Sequence, residues 1–374
     1  MRFLILLLCF PVTFLHAAEV TAPPASEVER LSLDTFYKKY ISADGFPIVS
    51  SEKVSDFALK EAAFVIGKML ENLPEVRDAL IGEKVRLAIM AADEYTTAIP
   101  EHRHLHPKAY WDKRARGLGS SKKHPAVSCG EENLLRYQGD PYFDESIMVH
   151  EFAHSIHQQG LNIIDPDFQK KLEQAFNRAA LKGLWKGKYA GTNPAEYWAE
   201  GVQSWFDTNR EDDFEHNHVD TREELKEHDP GLAALIESVF GDSEWRYQPP
   251  AKRKDPGHLS GYDPSRGKVF SWPEEMLKAY ADYQAGKHLA KMAVRKMNEL
   301  PAGAKSPSSK TQVKIRIRNH TEQRLAISWV DFDGKLKVHG NADPGREFDQ
   351  QTFEGHLWVI SGEDGKPFRW CETP

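Results

Sequence analysis

Asp144-Glu145-Ser146-Ile147-Met148-Val149-His150-Glu151-Phe152-Ala153-His154-Ser155-Ile156-His157 is the stretch on which the reading of this chain turns. Residues four apart on an α-helix differ by about 40° in azimuth, so the imidazoles of His150 and His154 leave one face and can share a metal ion. Glu151 then lies beside that ion, where a carboxylate can take the proton of a metal-polarised water. The His-Glu-Phe-Ala-His pattern alone arises by chance in roughly one chain in twenty of this length, so its surroundings decide whether it carries chemistry.

The local signals predict a helix, with Asp144 as its cap, Gly160 as its stop and no proline between. Ile147, Met148, Val149, Phe152, Ala153 and Ile156 spread over more than one face, which suits a helix buried inside a domain. A single histidine on such a helix is more often a satisfied core residue than a ligand. Two at ligand spacing, with a glutamate between them, favour the metal.

Residues 1–18 read as a secretory signal: Arg2 at the start, an apolar run from Phe3 to Leu15, then Ala17 and Ala18 ahead of Glu19. A secreted or periplasmic product is expected, with an uncleaved anchor as the alternative; no later apolar run approaches the roughly 20 residues of a membrane span. The 374 residues provide enough chain for two domains. A net charge of −7 without a long basic run gives no electrostatic case for nucleic acid. Beyond the signal only Cys129 and Cys371 remain, and their spacing leaves open whether they pair. Asn319-His320-Thr321 is a glycosylation sequon, meaningful only in a eukaryotic source.

Helical periodicity over 54–73, an extended run over 83–90 and another over 126–137 precede the histidine helix. Helices are predicted after it over 167–184, 194–207, 232–240 and 273–300, the last weakened by Gly286. Residues 301–311 have linker composition. From Gln312 to Pro374, short extended runs alternate with turn signals at Asp333-Gly334, Pro344-Gly345 and Gly362 to Gly365, the pattern of a small β domain. The histidine clusters 102–106 and 216–218 read as exposed loops.

A catalytic zinc takes three protein ligands and keeps one position open. The stretch from Tyr189 to Glu200 is the best region for the third ligand: Asn193 can cap a helix with Pro194 at its first position, and Glu196 and Glu200 share a face. The same residues also fit a capping-box variant in which Glu196 bonds only its own helix end. Both readings stand on spacing alone.

Residues 144–207 resemble the catalytic core of the gluzincin metallopeptidases, most closely the anthrax lethal factor family with its Pro-Pro endopeptidase relatives. The resemblance rests on the histidine motif followed by Tyr189, Thr192-Asn193 and Glu196 at matching positions. It implies an α+β zincin-like domain over 19–300, zinc held by His150, His154 and Glu196, Glu151 as general base, and Tyr189 as hydroxyl donor to the tetrahedral intermediate. Glu200 matches a carboxylate behind a ligand imidazole. His157, seven residues from His150, reads as a pocket group behind the ligands. The implied activity is hydrolysis of a peptide or protein substrate; the alternative is a zincin-like peptide-binding protein that keeps the metal and cleaves nothing.

Residues 312–374 resemble the β domain of the von Hippel-Lindau tumour suppressor, an all-β sandwich, on Ser328 to Gly334 and Phe353 to Val359. That β domain recognises hydroxyproline in an extended peptide. Thr352, His356 and Trp358 match its pocket positions, with Thr in place of the family's serine and His339 where the family has tyrosine. A proline-rich peptide partner is what this likeness implies; the bland reading makes Leu357 and Trp358 ordinary core residues.

Overall fold

The computed structural model describes residues 19–287, 289 and 292–374, so the expected signal lies outside the described residues. The chain is mixed α/β and forms two compact units that divide between Met276 and Leu277.

The first unit is built on a five-stranded sheet of β1 (Lys39–Ala43), β2 (Phe46–Ser50), β3 (Arg86–Met90), β4 (Gly117–Leu118) and β5 (Ala126–Gly130), in the order β1-β2-β3-β5-β4. β2, β3 and β5 run parallel, while β1 and β4 close the edges antiparallel. All residues of the three parallel strands are buried, as expected of a sheet covered on both faces. Helix α1 (Asp56–Met69), capped by Ser55, falls within the periodicity predicted over 54–73, and helix α2 (Pro74–Gly82) follows it where no helix was predicted. The strand expected over 83–90 starts only at Arg86, because Lys84 turns the chain through a left-handed conformation (φ 61°).

The extended run expected over 126–137 stops at Gly130. Glu131 begins a short helical turn, and its fully buried carboxylate accepts the backbone N–H groups of Ser55 (2.7 Å) and Ala92 (3.0 Å). Those long-range bonds draw the chain inward and override its local strand propensity.

The histidine helix α3 (Ile147–Ser155) lies against this sheet, with Met148, Val149, Phe152 and Ala153 fully buried and Phe152 edge-on to Phe46 at 5.1 Å. Burying a side chain such as Phe152 stabilises the fold by roughly 1.5–3 kcal/mol. Its cap is Ser146, not Asp144: the Ser146 hydroxyl accepts from Val149 N, and Asn133 Oδ1 accepts from Ile147 N at 2.9 Å. Nor does Gly160 end the helix. The chain widens into a π-helical stretch, Ile156–Leu161, and runs on to Ile164. Gly160 is needed for close approach, since a Cβ there would lie 2.6 Å from Val76 Cγ1 on α2. Helices α4 (Phe168–Lys182), α5 (Pro194–Trp205) and α6 (Pro230–Phe240) complete the unit near the predicted bounds. Trp198 on α5 ties it to α3 by donating Nε1–H to Ala153 O at 2.9 Å.

In the second unit, β7 (Gln312–Arg318) pairs with β10 (Glu347–Phe353). A five-stranded antiparallel sheet joins β6 (Arg295–Lys296), β12 (Pro367–Glu372), β11 (Leu357–Ser361), β8 (Leu325–Val330) and β9 (Leu336–Ala342), in that order. Ile315 and Ile317 of the small sheet share a core with Leu325, Ile327, Trp358, Ile360 and Cys371 of the large one. The helix predicted over 273–300 is found only over Glu274–Gln284; Gly286 beyond it takes a left-handed conformation (φ 72°). Part of the expected linker is fixed. Leu300 and Ala304 pack against the Val330, Leu357, Val359 and Trp370 cluster, and Ser306 Oγ accepts from Leu357 N at 2.9 Å. Cys129 and Cys371 are free and buried. The sequon amide of Asn319 is fully buried and donates to Gln323 O and Ala342 O, both at 2.8 Å, so it is closed to glycosylation in the folded unit.

Gly160→Ala is expected to lower stability by about 1–3 kcal/mol, because the added methyl collides with Val76. Gly67→Ala, inside α1 with open space at its Cβ, should raise it by about 0.5–1 kcal/mol. Urea unfolding of the two variants checks both signs; a Gly160→Ala protein as stable as the parent would refute the close-packing account.

Candidate metal centre

Two helix starts build the site. Ser146 begins α3, which presents His150 and His154 one turn apart, and Asn193 begins α5. The Asn193 side chain accepts from Ala195 N (2.9 Å) and Glu196 N (3.0 Å), with Pro194 at the first helical position. Asn193 alone caps the helix, and the Glu196 carboxylate turns away from its helix end to the two imidazoles.

The three groups form a nearly equilateral triangle. Glu196 Oε2 lies 3.2 Å from His150 Nε2 and 3.3 Å from His154 Nε2, and the two ring nitrogens are 3.2 Å apart. Ligands held tetrahedrally about 2.0–2.1 Å from an ion sit about 3.3 Å from one another. The donor set, two imidazole nitrogens and a carboxylate oxygen, also suits zinc. Among the described residues this is the only cluster of its kind. The ring orientation of His150 is set from behind: its Nδ1–H donates to Gln203 Oε1 at 2.7 Å, which turns Nε2 into the triangle.

Charge is concentrated here. Burial works against a protonated His150, but hydrogen bonds to Glu196 and Glu200 outweigh it and raise its pKa well above the usual imidazole value. Conversely, burial disfavours the Glu196 and Glu200 carboxylates, yet their histidine partners hold both down, Glu200 to about 2. The pocket thus keeps its carboxylates ionised and attracts a positive charge.

Glu151 and Tyr189 flank the triangle. Gly117 and Gly119 pass over Glu151 so closely that a Cβ on Gly117 would lie 3.1 Å from Glu151 Cγ, and one on Gly119 would lie 3.4 Å from Glu151 Oε2 and 3.3 Å from His154 Cβ. The sheet edge β4 therefore borders the site. Tyr189, in the turn Tyr189–Gly191, stacks beside His150 with ring centroids 6.2 Å apart. Burial and the nearby Glu196 and Glu151 carboxylates raise the pKa of its hydroxyl, so it stays a neutral donor.

Other expected residues fall differently. His157 belongs to the π-helical stretch; its Nε2 meets Gln169 Oε1 at 2.8 Å and its ring packs by Phe168 and Trp198. Glu200 does stand behind His150, with Oε1 3.4 Å from Nδ1, but Gln203 is nearer. Gln203 has no motif to betray it; only its place seven residues after Glu196 on a buried helix could have. Two histidines expected in exposed loops are buried. His102 bonds Ser128 Oγ at 2.9 Å, while His216 lies 3.4 Å from Glu200 Oε2.

In the second unit, Thr352 Oγ1 and His356 Nδ1 are 3.1 Å apart, His356 stacks on Trp329 at 5.2 Å, and His339 meets Trp358 edge-on at 5.2 Å. The four expected residues thus gather around Trp329. Thr352, His356 and Trp358 are buried; His339 and half-exposed Phe332 form the accessible rim. The Trp358 Nε1–H is buried without an acceptor among the described residues.

No family model matches this chain, and no curated protein matches it.

Proposed function

We propose that this protein is an exported zinc-dependent endopeptidase of gluzincin type. The observation that carries the reading is the triangle of His150 Nε2, His154 Nε2 and Glu196 Oε2 with sides of 3.2–3.3 Å, flanked by Glu151 and Tyr189. His150, His154 and Glu196 hold the metal, and a zinc ion bound there supplies a polarised water and a Lewis acid for the scissile carbonyl. Glu151 accepts the water's proton and delivers it to the leaving amine. Tyr189 donates a hydrogen bond where charge develops on the carbonyl oxygen. Export rests on the apolar leader of residues 1–18. Among the described residues no helix is long and apolar enough to cross a membrane.

The β unit is proposed to engage proline-rich stretches of the substrate. Trp329, Phe332, His339 and His356 supply aromatic planes suited to a pyrrolidine ring.

Purified wild-type protein should contain one zinc per chain by elemental analysis, and Glu196→Ala should lose it to dialysis. Equal metal in the two proteins would sink the ligand assignment. Glu151→Gln should keep zinc while kcat falls about 10²–10⁴-fold on a peptide library. Tyr189→Phe should lower kcat about 10²–10³-fold with little change in KM, since its bond forms chiefly in the transition state. Full peptidase activity in Glu151→Gln would refute its role as general base, and no activity in wild type on any peptide would replace the enzyme with the metal-bearing peptide-binding protein. For the β unit, His339→Ala in the full chain should raise KM for long proline-rich substrates and leave short peptides unaffected; identical KM for both classes would refute a role in substrate capture.

A further inference from the structure

The loop from Asn209 to His218 follows α5, and its His216 is only 5% exposed. Both ring nitrogens of His216 face carboxylates: Nδ1 lies 2.9 Å from Asp213 Oδ1 and Nε2 lies 3.4 Å from Glu200 Oε2. Glu200, 3% exposed, is also bound by Asn209 Nδ2 at 3.2 Å. A carboxylate buried that deeply is tolerated only when paired. Two of its partners come from this loop, and the third is the ring of His150.

The same loop reaches the other side of the site. Glu215 O accepts from Tyr189 N at 2.8 Å, and Lys188 Nζ donates to Asp213 O and His216 O, both at 2.9 Å. Asp213 Oδ1 also accepts the backbone N–H groups of Glu215 and His216, each at 2.7 Å, which holds the loop in shape. One short segment is thus bonded both to the carboxylate behind a ligand imidazole and to the turn that carries the hydroxyl donor.

We infer that the loop 209–218 is the positioning element of the metal centre, with His216 as its anchor: it sets Glu200 behind His150 and, through Glu215, sets the turn of Tyr189. The inference rests on the zinc peptidase reading. His216 touches neither substrate nor metal; it acts through Glu200 and the Tyr189 turn. Disturbing it loosens the ligand side and the hydroxyl side together, which no single contact in either half would do.

The test uses the full chain loaded with zinc, with release to a chromophoric chelator and steady-state kinetics measured on the same samples. His216→Leu is expected to release zinc about 10–100-fold faster, the scale of losing a partner behind a ligand, and to lower kcat with KM little changed. His216→Gln, which keeps an N–H donor for Glu200, should recover most of the zinc retention. Asp213→Ala should fall between wild type and the leucine variant. If His216→Leu does not fold, the glutamine and Asp213→Ala variants carry the comparison. Release at the wild-type rate from Asp213→Ala and from whichever His216 variants fold overturns the inference. So does a glutamine variant no better than leucine, since packing alone would then explain His216. A wild-type protein that takes up no zinc overturns the peptidase reading, and this inference with it.

Discussion

The close approach of α3 and α5 is the constraint on which the first unit depends. Two histidines on one helix and a glutamate on another, forty-two residues beyond the second histidine, converge only because the helices pack at fixed spacing. Trp198 supplies that spacing with a fully buried indole bonded to Ala153 O, and Gly201 permits α6 to press against α5 from behind, where a Cβ would meet Leu232 Cδ2 at 2.6 Å. The apolar packing is large and tolerant in chemistry but not in distance. It is what allows a polar cluster to be set to within a few tenths of an ångström.

That cluster is expensive to bury. Glu145, Glu200, His150, His154, His216 and Gln203 are all buried, and isolated charges there would cost several kcal/mol each. The structure meets the cost by chaining them: Gln203 Nε2 donates to Glu145 Oε2 and to Ser146 O, Arg210 pairs with Glu145, and His216 bridges Glu200 and Asp213. The chained part of the network also fixes the orientation of the His150 and His216 rings, whereas His154 Nδ1 is buried without a partner among the described residues. Positioning of the candidate ligands and solvation of buried charge are the same set of bonds.

The second unit applies a different logic. The core shared by its two antiparallel sheets is mainly aliphatic and includes Trp358, and the polar residues Thr352 and His356 bond each other. Trp358 is a core residue, 1% exposed, with the ring of His339 against it.

Much of this was legible in residue order. The spacing of His150, Glu151 and His154, the Asn193-Pro194 helix start, the helices around α4 to α6 and the strand-and-turn rhythm after Gln312 all follow from local periodicity and capping chemistry, which act over a few residues. Where long-range bonds compete with local preference, order misleads: Glu131 is drawn inward by Ser55 and Ala92, and Gly160 answers to Val76. Whether Glu196 caps its helix or faces the histidines could not be settled by spacing, because both uses need the same residue at the same position; only the packing of α5 on α3 separates them. Gln203 has only its helical spacing from Glu196, His216 reads as a loop residue, and Trp329 is one residue of the stretch Ser328 to Gly334 with nothing to single it out. Their roles come from what lies opposite them across the fold, and that is a property of tertiary contact alone.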